Sequence, residues 1–115
     1  MNDLAGAVGR VLQGHVGQGW ALKRGEILSL VRQLPAYQEA TGQMVWEAIE
    51  DLREAGWMIC SLMDDNYFLA GSPEEYQHFK EAYVSYALTI LDRAKAMDRT
   101  AERHWGPAGL QERLF

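Results

Sequence analysis

The side chains of this 115-residue chain that could perform chemistry are few and scattered. The three histidines, His15, His78 and His104, lie far apart and lack the short spacings typical of metal ligands. The single cysteine, Cys60, alternates with apolar neighbours, which favours a buried small side chain over a nucleophile. No serine–histidine–aspartate set and no pair of carboxylates stands out. The sequence therefore predicts a protein that is not an enzyme and that uses no metal or cofactor.

The charged residues divide the chain into three parts. Residues 1–35 carry a net charge of +2, residues 36–79 one of −8, and residues 80–115 one of +1. Because phosphate neutralisation requires lysine or arginine, the acidic middle part argues against a nucleic-acid surface there. The best candidates for phosphate contacts are then Lys23, Arg24 and Arg32, and the alternative is that these three are scattered surface charges.

Length and composition favour one globular domain. The chain is 48% apolar and 23% charged, which is too apolar for disorder. It has no unbroken apolar run that could cross a membrane. The start, Met1-Asn2-Asp3-Leu4, lacks the basic and apolar stretches of a signal peptide. We therefore expect a cytoplasmic protein without a membrane partner.

Apolar residues at helical spacing predict three helices in the first half of the chain, over residues 3–15, 24–34 and 41–55. Thr41 is the expected N-cap of the third helix, and Gly56 ends it. Pro35 ends the second helix. The side chains expected to face inward are Leu4, Val8, Val11, Leu12, Ile27, Leu28, Val31, Leu34, Val45, Ile49 and Leu52.

A hairpin and a long helix follow. Residues 57–63 and 67–70 are rich in strand formers and flank a turn cluster, Asp64-Asp65-Asn66. Ser72 and Glu75 then form a predicted capping box around Pro73. No helix breaker occurs before Gly106, so a helix of about thirty residues, or roughly 45 Å, is expected within residues 72–105. Residues 106–115 are expected to be a flexible tail.

The predicted long helix has two apolar stripes. One of them consists of Tyr76, Phe79, Tyr83, Tyr86 or Ala87, Ile90, Ala94 and Met97; the other consists of Val84, Leu88 and Leu91. One stripe is enough to cover a small core. The second predicts a further partner, most simply another copy of the chain, so we expect a homodimer whose helix contacts include Tyr83, Tyr86, Ile90 and Met97. The alternative is a helix that folds back on the first helix with both stripes.

The order of these elements resembles that of a winged helix-turn-helix. Residues 45–57 lead into Ile59-Cys60-Ser61, then into the aromatic strand Tyr67-Phe68-Leu69-Ala70 and the helix start Ser72-Pro73-Glu74-Glu75-Tyr76. Over residues 4–99 this resembles the small winged-helix proteins encoded by phages and prophages. The resemblance implies a mainly α protein with a small β-hairpin (α+β), with a winged domain over residues 1–71 and the long helix over residues 72–105.

The resemblance also implies a DNA-binding accessory or regulatory protein, active in transcription regulation in the cytoplasm of a bacterial host. The helix over residues 41–55 would enter the major groove of double-stranded DNA, with the turn at residues 64–66 as the wing tip. Thr41, Gln43 and Asn66 then join the three cations as candidate DNA contacts.

The outward face of that third helix is acidic. Steps of 100° per residue place Glu47, Glu50 and Glu54 opposite the inward Val45. Three carboxylates would oppose the phosphate field, so the alternative function is an interaction module that has lost DNA binding and binds a basic protein surface. Trp46, on the flank, would be its apolar anchor. The simpler alternatives, a solvated helix face and a Trp46 packed beneath residues 35–40, stay open.

Overall fold

Four helices and three short strands make up the computed structural model, which describes residues 3–62 and 65–106. The protein is mainly helical with a small antiparallel sheet, as expected. The helices are α1 (Asp3–Gln13), α2 (Arg24–Arg32), α3 (Gly42–Glu54) and α4 (Pro73–Trp105); the strands are β1 (Leu22–Lys23), β2 (Ile59–Leu62) and β3 (Asn66–Leu69). By its contacts the chain divides into two units, Met1–Phe79 and a second that begins at Lys80.

The core of the first unit lies among α1, α2 and α3. Each helix contributes the apolar face that its spacing predicts, and one tyrosine of β3 closes the core against the sheet. The buried residues are Leu4, Ala5, Ala7, Val8, Leu12, Leu22, Ile27, Val31, Ala40, Val45, Ala48, Ile49, Leu52, Ile59 and Tyr67. Leu34 is a wrong prediction, because α2 ends at Arg32 and leaves this side chain 40% exposed.

The N-cap of α3 is confirmed. The hydroxyl of Thr41 accepts a hydrogen bond from the backbone N–H of Met44 at 3.2 Å. Gly56, with φ of 99°, adopts the left-handed conformation that ends helices and favours glycine. The turn between α2 and α3 contains a short 3₁₀ helix, Pro35–Tyr37.

The sheet has the strand order β1-β3-β2, with both neighbouring pairs antiparallel. Strand β1 was not expected, because a strand of two residues has no periodicity to detect. It pairs Leu22 with Tyr67 and Lys23 with Asn66. Asn66 also pairs with Leu62, so it begins β3 and is not part of the turn to which the sequence assigned it. Asp64 lies outside the described residues.

The first turn of α4 differs from the predicted capping box in one bond. The hydroxyl of Ser72 accepts a hydrogen bond from the N–H of Glu75, as expected. The carboxylate of Glu75, however, accepts from the backbone N–H of Gly71 and from that of Gln18. The reciprocal half of the box is therefore replaced by a link to the segment before β1.

The second unit contains most of α4, whose 33 residues confirm the predicted long helix. This helix lies wholly within the described part of the chain, and none of its residues is buried. Beyond Gly106, the predicted flexible tail lies outside the described residues.

Candidate interaction surface

The solvent-facing side of α3 carries negative charge. Because Val45, Ile49 and Leu52 turn toward the core, the opposite side of the helix faces solvent. Four exposed polar residues lie there: Gln43, Glu47, Asp51 and Glu54. The amide nitrogen of Gln43 donates to the carboxylate of Glu47 at 3.2 Å. We call these four residues the acidic face.

Two large apolar side chains flank the acidic face. Trp46 and Met44 are each 42% exposed, although both belong to a helix whose other apolar side chains are buried. An exposed tryptophan beside charged groups is typical of protein-interface anchors. The surface of α3 thus combines carboxylates with exposed apolar area.

Glu50 differs from the other carboxylates of α3 because it is half-buried and paired. Its Oε1 lies 2.9 Å from Nη1 of Arg53, one helical turn further on. Helical spacing offers Arg53 both Glu50 and Glu54 as partners, and the structure pairs it with Glu50. Glu47 and Glu54 are exposed, so of the three glutamates predicted for an interface these two are the more accessible.

Arg53 also bonds to groups outside its own helix. Its Nε donates to the carbonyl oxygen of Ile59 at 3.0 Å, and its Nη2 donates to the hydroxyl of Ser61 at 3.3 Å. The guanidinium also lies 5.9 Å from the ring centre of Tyr67 and 5.3 Å from that of Phe79. Arg53 therefore connects α3, the sheet and the first turns of α4. Its guanidinium points toward these contacts and not toward the acidic face.

The predicted phosphate contacts are distributed along α2. Nε of Arg24 forms an ion pair with the carboxylate of Asp65 at 3.0 Å, and the backbone N–H of Arg24 donates to the Asp65 carbonyl at 3.2 Å. Nε of Arg32, at the other end of α2, donates to the carbonyl of Ala40 at 2.9 Å. The two arginines are eight positions apart along the helix, which corresponds to roughly 12 Å. Lys23 is exposed immediately before the helix.

The structure brings some of the predicted site residues together and separates others. Strand pairing sets Lys23 beside Asn66. Thr41 and Gln43 lie at the start of α3, where Thr41 caps the helix and Gln43 bonds to Glu47. The ion pair of Arg24 with Asp65 was not predicted, because the two residues are 41 positions apart and only the unforeseen strand β1 places them side by side.

Two titratable groups of the sheet have shifted pKa values. Burial, reinforced by the nearby Glu75 carboxylate, raises the pKa of the Cys60 thiol, which is buried in β2 as expected. Burial also raises the pKa of Tyr67 to about 12, with further contributions from the hydrogen bond that its hydroxyl donates to Asp65 and from the negative charge of that carboxylate. Among the described residues no group of histidine, cysteine and acidic side chains could hold a metal ion.

Compared with protein-family models, with curated proteins and with solved structures, the chain gives no match. In the parts of the chain that the structure describes, no helix has the length and apolar character needed to cross a membrane.

Proposed function

We propose that the first unit is a winged helix-turn-helix domain of the phage and prophage type. Its support is the order α1-β1-α2-α3-β2-β3 together with the antiparallel strand order β1-β3-β2. In such a domain α3 occupies the position of the recognition helix, and the β2–β3 hairpin is the wing. The resemblance of residues 45–76 to the phage proteins agrees with this assignment.

The function that the site supports best is binding of a basic protein surface through α3. One observation carries this proposal: the solvent-facing side of α3 presents the exposed carboxylates of Glu47, Asp51 and Glu54 beside the exposed Trp46. Carboxylates speed association with a cationic partner, and a tryptophan that becomes buried in the contact supplies binding energy by desolvation. A partner in the transcription or replication machinery of a bacterial host fits this chemistry.

Two arginines near α3 are paired with carboxylates of the domain, and a third, Arg32, donates to the carbonyl of Ala40 just before the helix. The arginine of this helix, Arg53, bonds to Glu50 and to the sheet. The arginine at the start of α2, Arg24, is paired with Asp65. A phosphate backbone that approached α3 would therefore meet negative charge, which opposes the counterion release that drives DNA binding.

The experiment is an affinity capture from bacterial extract with three matched forms of the full chain. Glu47→Lys plus Glu54→Lys reverses two charges on α3, and Glu81→Lys plus Glu102→Lys makes the same net change on exposed positions of α4. We expect a basic protein that binds the wild type and the α4 variant but binds the α3 variant at least about tenfold more weakly, which corresponds to about 1.4 kcal/mol. Equal capture by all three forms would overturn the proposal.

DNA binding is the second candidate function, and one observation favours it. Lys23 and Arg24 place two cationic side chains at the N-terminus of α2, where the helix dipole also attracts phosphate. The test is the fluorescence anisotropy of a labelled random-sequence duplex at two salt concentrations. Binding that weakens steeply with salt, and that Lys23→Ala plus Arg24→Ala weakens for all sequences, would put DNA in the place of the protein partner.

A further inference from the structure

The second unit exposes a broad apolar surface along α4. Tyr83 is 49% exposed, Ile90 47% and Met97 66%, and the neighbouring Val84, Leu88 and Leu91 are exposed as well. A continuous exposed apolar surface on a helix marks a contact site for another molecule. The spacing of the residues on this surface indicates which molecule binds there.

Large and small side chains alternate along the surface. The spacing of four and then three residues that defines a coiled-coil seam selects Tyr83, Ala87, Ile90, Ala94, Met97 and Ala101. Along this seam Tyr83, Ile90 and Met97 supply the large side chains, and Ala87, Ala94 and Ala101 supply the small ones between and after them. Closely packed helices require each layer between them to be filled without voids or overlap.

The alternation fits a second copy of the chain in the antiparallel direction. In a parallel pair, each layer would join two equivalent positions, so layers of two alanines would alternate with layers of two large residues. In an antiparallel pair, each layer joins an alanine to a large residue, and all layers have similar volume. We infer that two copies of this protein associate through residues 83–101 of α4 as an antiparallel helix pair.

The same spacing sets the register of the pair. With the two-fold axis near Asp92, Ile90 packs against Ala94 of the partner subunit. Ala87 then packs against Met97 of the partner subunit, and Tyr83 packs against Ala101 of the partner subunit. The contact is isologous, so each layer occurs twice and the interface closes on two chains.

The charges of α4 favour the antiparallel direction. Residues 80–92 carry two carboxylates and one cation, whereas residues 93–105 carry four cations and two carboxylates. Antiparallel pairing sets the more acidic half of each helix beside the more basic half of the other, and it also opposes the two helix dipoles. Arg93 lies beside the two-fold axis, opposite Arg93 of the partner subunit, and its long side chain can extend to water. The inference does not depend on the winged-helix proposal.

Two measurements on the full chain test the inference. Light scattering should give twice the 13.0 kDa mass of one chain for the wild type and for Ser85→Glu, whose position faces away from the seam. Ile90→Glu, which places a charge in the central layer, should give the mass of one chain. A wild type that stays monomeric overturns the inference, whether or not another segment of the chain covers this surface. A dimer that survives Ile90→Glu also overturns it.

Disulfide formation between single-cysteine variants tests the direction. Tyr83→Cys and Ala101→Cys are each made in a Cys60→Ala background, and one of them carries a tag that changes its mass. We expect mild oxidation to cross-link the mixture into a mixed dimer and to leave each variant alone uncross-linked, because Tyr83 faces Ala101 of the partner subunit. Cross-linking of each variant with itself indicates a parallel pair and contradicts the inference. Circular dichroism checks that both variants keep the helical content of the wild type.

Discussion

The carboxylate of Glu75 accepts a hydrogen bond from the backbone N–H of Gln18 at 3.0 Å, although the two residues lie 57 positions apart. Its second oxygen accepts from the N–H of Gly71 at 2.7 Å. This one side chain therefore fixes the first turn of α4 to the segment that leads into β1. Because it satisfies backbone donors on both sides of the junction, it also holds the end of β3 in place relative to α4.

Glu75 should make stability depend on pH. The N–H groups of Gln18 and Gly71 stabilise the ionised carboxylate and lower the pKa of Glu75 below its ordinary value. A carboxyl whose folded pKa is lowered contributes stability fully above its unfolded pKa of about 4.3, and the contribution is lost as the pH falls through the folded value. We expect Glu75→Gln to lower the free energy of unfolding at pH 7 and to make no difference at pH 2, as measured by urea unfolding. Glu74→Gln is the matched control, and an equal effect from it would contradict this explanation.

The same junction shows what the sequence could predict. Ser72, Pro73 and Glu75 predict a helix start, because the signals of a cap are local. The second partner of Glu75 could not be predicted, since it depends on how a distant loop packs. The hydrophobic periods similarly predict α1, α2, α3 and the hairpin, whereas β1 exists only because β3 pairs with it.

In the candidate site, too, local features could be predicted from the sequence and tertiary contacts could not. Helical angles alone place Glu47, Glu50 and Glu54 on the outward side of α3. In the structure Glu47 and Glu54 are exposed, whereas Glu50 is half-buried and paired with Arg53, and the exposed Asp51 was not among the predicted residues. The ion pair of Arg24 with Asp65 and the contacts of Arg53 with the sheet are tertiary, so no local pattern indicates them. The sequence therefore predicts which charges exist on each helix, but not which of them are neutralised by a neighbour.

Two glycines of α1 should respond in opposite ways to alanine. A Cβ on Gly9 would lie 2.8 Å from the indole ring of Trp57, which is rigid and packed against the core, whereas a Cβ on Gly6 would meet only the end of the Arg10 side chain at 3.7 Å. Gly9→Ala should therefore destabilise the protein by about 1–3 kcal/mol. Gly6→Ala should stabilise it by up to about 1 kcal/mol through helix propensity. Urea unfolding of both variants measures the difference, and a stabilised Gly9→Ala would show that Trp57 can move aside.

Arg53 should be hard to replace. Arg53→Ala removes hydrogen bonds to Ile59 and Ser61 and the contacts with two aromatic rings, so we expect a loss of about 2–3 kcal/mol in the free energy of unfolding. Arg53→Lys should recover less than half of that loss, because an ammonium cannot donate in the three directions that the planar guanidinium serves. Arg99→Ala, on an exposed position of α4, is the control and should change stability by less than about 0.5 kcal/mol. Full recovery by lysine would mean that charge alone matters at this position.

The hydroxyl of Tyr67 should ionise late and should respond to Asp65. Burial is the main cause of its pKa of about 12, and the hydrogen bond to Asp65 and the charge of that carboxylate add to it. Asp65→Asn should therefore lower the pKa of Tyr67 without restoring the ordinary value, as followed by ultraviolet absorbance at high pH. Tyr67→Phe should abolish the late ionisation, which identifies Tyr67 as its source. A late ionisation that persists in Tyr67→Phe would assign it to another tyrosine.

Asp65 also controls how much positive charge the start of α2 can offer to a phosphate. The Asp65 carboxylate lies 3.0 Å from Nε of Arg24. The backbone φ of Asp65 is 62°, a value that asparagine tolerates well. Asp65→Asn should therefore keep the turn and change stability by less than about 1 kcal/mol, since the ion pair is partly exposed. It should also release Arg24 and strengthen the binding of a random-sequence duplex at low salt, with a salt dependence steeper by about one phosphate contact.

The matched control for this last prediction is Glu102→Gln, which makes the same change in net charge on an exposed position of α4. If both substitutions strengthen duplex binding equally, the effect comes from net charge and the start of α2 has no special role. If only Asp65→Asn does so, Arg24 is a phosphate contact that the wild-type protein keeps neutralised. If neither variant binds the duplex, the carboxylates of α3 dominate the field on this side of the domain, and a protein surface is the partner to seek.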